Sequence, residues 1–161
     1  GRPDEATTDI QVLHDLSISI SKNSAYWGTQ VKIQELTATA WQHHAKGDME
    51  NAMATMKQAA TLESTTDKNG VTPGEVSPAA EFYGDMLRQA SLYKDALTAY
   101  EMALKRAPGR YNSLYGAGMA ALAIDDKATA KKYFDLLNSN TVGGNSTRAS
   151  LAEVREILET L

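Results

Sequence analysis

The chain repeats a spacing. Ala52, Ala96 and Ala130 are each followed four residues later by a large apolar side chain: Met56, Tyr100 and Phe134. Each is preceded twelve residues earlier by a small residue: Ala40, Gly84 and Gly118. Ala96 and Ala130 stand 34 residues apart, while Ala52 and Ala96 stand 44 apart, a 34-residue period lengthened by ten. Residues at i and i+4 share one face of a helix. The alanine and the large residue therefore line one helix, and the small residue belongs to a partner helix that must come close. A larger side chain at such a crossing overpacks it, at a cost of about 1–3 kcal/mol. Self-similarity at a fixed period of this length means a stack of like units, each burying its apolar face on the next.

A small residue followed by Ala-x-x-x-aromatic on a 34-residue period is the tetratricopeptide signature. The predicted fold is all-α: a tetratricopeptide-like, right-handed superhelical solenoid of antiparallel helix hairpins with a C-terminal capping helix, in a single domain over 1–161. Residues 5–21 carry Ile10, Leu13, Leu16 and Ile20 at near-helical spacing, although Ile18 and Ile20 also alternate with serines as a strand would. Helix is the expectation, as the second helix of a partial repeat.

Repeat one covers 24–63. In it Gly47-Asp48 divides two helices, Gly suiting the end of the first and Asp the N-cap of the second. Residues 64–77 read as an inserted loop, with Asn69-Gly70 and Pro73-Gly74 as turn signals. Repeat two covers 78–107, with Pro78 suited to a helix start and Pro108-Gly109 ending the pair. Repeat three covers 111–138 and turns at Asp125-Asp126, with the second Asp as N-cap. Asn138 to Thr147 is polar and reads as a loop. Ser150-Leu-Ala-Glu153 reads as a capping box opening the helix of 148–161, whose stripe Leu151, Val154, Leu158 and Leu161 should cover the last repeat.

A narrower resemblance lies in Tyr26-Trp27, Ala40-Trp41, Val71-Thr72-Pro73-Gly74, Gly84-Asp85-Met86-Leu87, Ala99-Tyr100-Glu101 and Leu114-Tyr115-Gly116-Ala117. From about Tyr26 to Leu137 the chain resembles the C-terminal part of a group of longer, largely uncharacterised bacterial tetratricopeptide-repeat proteins. The resemblance implies a fragment of a larger solenoid and brings no catalytic residues. Many members resemble exported proteins, which favours a periplasmic or secreted location over the cytoplasm.

Composition narrows the function classes. The chain has 161 residues, 16 basic and 20 acidic, for a net charge of −4. Nucleic acid would call for a basic stripe, so it is not an expected partner. No apolar run is long enough to insert in a membrane. The absence of cysteine excludes disulfides and thiolate chemistry and is compatible with any compartment.

In arrays of this kind the first helix of each hairpin lines a groove. The repeat frame puts Gln34, Thr37, Trp41 and His44 there from repeat one. It adds Glu81, Asp85 and Arg88 from repeat two, and Asn112, Tyr115 and Met119 from repeat three. An aromatic residue and two carboxylates beside an arginine suit a peptide or helix as ligand. The same residues also read as the solvated face of a solenoid. The clamp of groove lysines and asparagines used by Hsp90-binding arrays is not matched, since Arg88 is the only groove cation.

His43 and His44 point about 100° apart on a helix and suit one metal ion poorly, so no metal is expected. Glu81 and Asp85 are spaced as an acid/base pair, but i,i+4 carboxylates are common on solvated helices. The expected function is a protein- or peptide-binding scaffold or adaptor, not an enzyme and without cofactor. The alternatives are a structural extension of a larger protein and, more remotely, a small-ligand binder or hydrolase at Glu81, Asp85 and Arg88. Oligomeric state is not legible.

Overall fold

The structure is a computed structural model that describes residues 2–67 and 77–161. The helices are α1 (Ala6–Ser21), α2 (Ala25–Ala45), α3 (Met49–Ser64), α4 (Ala79–Gln89), α5 (Tyr93–Arg106), α6 (Tyr111–Ala123), α7 (Lys127–Asn140) and α8 (Ala149–Leu158), with a 3-10 turn at Pro3–Glu5 before them. No strand occurs among the described residues. The inserted loop of 64–77 lies largely outside them; Ser64 itself is the last residue of α3. The chain divides into two compact units, residues 1–83 and 84–161.

In the first unit α1 packs on α2 and α2 on α3. Ser24 caps α2, its Oγ accepting from the Trp27 amide at 3.4 Å. Gly47 ends the α2 turn with φ +81°, a left-handed conformation that a side chain would strain. Asp48 then caps α3 by accepting from the Asn51 amide at 3.3 Å. Ala40, Ala52, Met56 and Ala59 are fully buried, so the small-residue frame of repeat one is its core. Gly28 is a further close approach: a Cβ there would run into Ser21, which pins the α1–α2 corner.

Glu63 was not foreseen. It is 2% exposed, and its two carboxylate oxygens accept from the amides of Ala79 and Ala80 at 3.0 and 3.4 Å. A buried carboxylate is costly unless hydrogen-bonded. This one supplies acceptors to free amides at the start of α4, where the helix dipole also favours negative charge.

In the second unit α5 packs on α6, α6 on α7 and α7 on α8. Ala96 and Ala130 are fully buried. The ring of Tyr100 fills the space that side chains on both Gly84 and Gly116 would need, and Phe134 does the same at Gly118. Gly84 and Gly118 were expected in this role; Gly116 joins them. Asp126 caps α7 by accepting from the Thr129 amide at 3.0 Å, after Asp125 turns the chain with φ +59°.

The end of repeat three and the helix after it each depart from the sequence reading. α7 runs on to Asn140. The capping box at Ser150 and Glu153 does not form: Arg148 is the N-cap residue and gives no side-chain cap. Both box residues are diverted to α6. The Ser150 and Tyr111 hydroxyls are 2.8 Å apart, and the Tyr115 hydroxyl donates to Glu153 Oε2 at 2.7 Å. The stripe holds in its first half, with Leu151 and Val154 buried, while Leu158 and Leu161 are half-exposed.

Candidate functional site

In the second unit α4 and α6 carry five of the eight candidate residues. On α6, Asn112, Tyr115 and Met119 follow the i, i+3, i+7 spacing of a single stripe; Asn112 is exposed and the other two half-buried. On α4, Asp85 and Arg88 are one turn apart and half-buried.

Their chemistry is linked. The Tyr100 hydroxyl donates to Asp85 Oδ1 at 2.7 Å. Burial opposes the Arg88 charge, but the Tyr100 hydroxyl and the nearby Asp85 and Tyr115 outweigh it and hold the guanidinium firmly protonated. Its Nε is buried and makes no hydrogen bond. Burial and the bond to Asp85 push the Tyr100 hydroxyl well above its usual range. Burial and the bond to Glu153 push Tyr115 up to about 12. Both phenols are therefore neutral donors at neutral pH. The Arg88 cation thus stands among the Tyr100 and Tyr115 phenols and the Asp85 carboxylate.

In the first unit Trp41 is half-buried, packed edge to face against His44 at 5.2 Å and Phe82 at 5.8 Å. Phe82 is an aromatic partner that the repeat frame did not single out. Glu81, which the repeat frame put in the groove, is 3% exposed. The two histidines part company, as their helical spacing requires: His43 Nδ1 lies 3.2 Å from Asp48 Oδ2, while His44 stacks on Trp41. Among the described residues no group of three or more His, Asp or Glu side chains is arranged to hold a metal ion, and no helix is long and apolar enough to cross a membrane.

Three tyrosine–carboxylate bonds tie helices of the second unit: Tyr100 to Asp85 between neighbours α5 and α4, and two that skip a helix, Tyr115 to Glu153 between α6 and α8 and Tyr133 to Glu101 between α7 and α5 at 2.7 Å. No sequence signal paired them, because their separations of 15, 38 and 32 residues reflect tertiary packing alone.

Among solved structures the chain is similar to PcrH from Pseudomonas aeruginosa, with a TM-score of 0.60, 16% identity, and coverage of 80% of this chain and 90% of PcrH. The likeness is one of fold. PcrH is tetratricopeptide-like, and this chain, all-helical with each helix packed on its neighbour in sequence, has a helical-repeat fold of that kind. No family model matches the sequence, and no curated protein matches it.

Proposed function

We propose that this chain is a protein-binding adaptor that receives a peptide segment, extended or helical, on the first helices of its hairpins. The observation that carries the proposal is Arg88, a fixed, partly desolvated cation whose Nε has no acceptor, set near the half-exposed Tyr115. An arginine with an aromatic neighbour in a partly dry setting is the kind of group that dominates binding at an interface. In the first unit Trp41, His44 and Phe82 offer an aromatic surface on the corresponding helices. The helical-repeat fold, similar to that of PcrH, is compatible with a protein as the partner class.

The second reading, a structural extension without a ligand of its own, is favoured by one observation: the Tyr100 and Tyr115 hydroxyls are already taken up by Asp85 and Glu153. Peptides selected from a random display library against the chain separate the two. Arg88→Ala and Trp41→Ala should each weaken the selected peptides by about 1–2 kcal/mol with the far-ultraviolet circular dichroism unchanged. Selection that yields no peptide, or peptides indifferent to both substitutions, would favour the structural reading.

A further inference from the structure

The second unit holds a cleft away from Arg88 and Tyr115. It has a volume of about 410 Å³ and lies between α5 and α7, with the buried Leu114 of α6 as its floor. Leu104 and Pro108 line one wall, and Tyr133 and Leu136 the other. Leu136 is 44% exposed at its rim. The bond from Tyr133 to Glu101 bridges the two walls.

Two lysines and one glutamate line this cleft, so its charge leans basic. Glu101 accepts from the neutral Tyr133 hydroxyl, and Asp135, on the same helix as Leu136, pairs with Lys131 at 3.3 Å. Lys105 and Lys132 stand on opposite walls, both exposed. Lys132 lies over the Tyr133 ring at 4.9 Å, and among the described residues neither lysine makes an ion pair. In a chain of net charge −4, this apolar cleft carries two cations against the one carboxylate of Glu101.

We propose that the α5–α7 cleft is a second docking site, for a short acidic peptide segment that seats a large apolar side chain on Leu104, Leu114 and Leu136 and lays carboxylates against Lys105 and Lys132. Charge complementarity specifies the acidic partner. The open form of the cleft specifies a peptide: a small molecule needs most of its surface buried to bind well, whereas a peptide inserts one side chain and spreads the rest along the rim. This site is independent of the adaptor face around Arg88.

The test uses fluorescence anisotropy with two fluorescein-labelled octapeptides that share their leucine and phenylalanine residues. One carries four glutamates and the other four lysines. The glutamate peptide should bind the full chain with micromolar affinity, weakening as salt is raised. Leu136→Glu should weaken it at least tenfold; both this residue and the lysines are exposed, so the variants should keep their helical circular dichroism. The double variant Lys105→Glu/Lys132→Glu should lose the glutamate peptide and gain the lysine peptide. Arg88→Ala should leave glutamate-peptide binding unchanged, which separates this site from the adaptor face. Failure of the glutamate peptide to bind, or equal binding of both peptides, would overturn the proposal. So would indifference to Leu136→Glu, displacement of the peptide by decanoate at matched affinity, or self-association of the chain through Leu136.

Discussion

Tyr100 shows how much a single residue organises. Its ring occupies the space above two glycines on different helices, Gly84 on α4 and Gly116 on α6, and its hydroxyl reaches Asp85. Glycine is needed there for room, not for an unusual backbone angle. A methyl group on Gly116 would have to displace a ring with 0% exposure. Gly116→Ala is therefore expected to lower stability by about 1–3 kcal/mol, which thermal unfolding would register as a drop of several degrees. Gly118→Leu, against Phe134, should be worse. An unchanged melting curve for both would mean that the rings move freely and that the crossings are not close-packed. Glu63 makes the complementary case for polar burial. Glu63→Ala strips two helix amides of their acceptors inside the first unit, and urea denaturation should show a loss of about 1–3 kcal/mol.

At the scale of elements, α8 is held by chemistry that its sequence does not advertise. Leu151 and Val154 are its buried anchors. Its register is set by Ser150 and Glu153 bonding to tyrosines of α6, and by Arg155 Nε donating to Asn138 Oδ1 at 3.2 Å. Deleting residues 148–161 should leave the α7 surface uncovered and promote association, seen as a larger species in sedimentation.

The tyrosine bonds also give the second unit a pH signature. Tyr115 is raised to about 12, and Tyr100 and Tyr133 are raised in the same direction, each chiefly by burial and then by its carboxylate partner. Above about pH 10 the unfolded chain releases these protons while the folded chain retains them. The unfolded state then binds fewer protons, so stability falls as pH rises from about 10 to 12. Urea midpoints at pH 9 and pH 11 should show this fall, and Tyr115→Phe should reduce its size. A slope identical in the variant would remove Tyr115 as a contributor.

At the scale of the whole molecule, the helices within each unit pack mainly on their neighbours in sequence. Stability in such chains is close to a sum of local terms, and openings can stay local. Gly28→Leu, which forces a side chain into Ser21 at the α1–α2 corner, should speed amide exchange in α1 and α2 while leaving α6 and α7 protected as before. Uniform acceleration along the chain would mean that unfolding is cooperative across both units. The Arg88 face and the Leu136 cleft are made of different residues, although α6 contributes Tyr115 to the first and Leu114 to the second.

The sequence by itself determined the helices and their crossings. The 34-residue spacing of Ala52, Ala96 and Ala130 found the buried frame, and Gly47, Asp48 and Asp126 marked where helices stop and start, because these are signals written within a few residues. The candidate site was legible only in part. Periodicity says which side of a helix a residue takes, and it placed Asn112, Tyr115 and Met119 on one stripe. It does not say how deep a neighbouring helix will bury that side, and so it missed that Glu81 is enclosed. Only the tertiary structure decided the partners of the long polar side chains. Glu63 at the start of α4, Tyr115 with Glu153 and Tyr133 with Glu101 are joined across 16 to 38 residues of chain. A carboxylate reaches whatever donor packing brings within 3 Å, and no local pattern encodes that encounter.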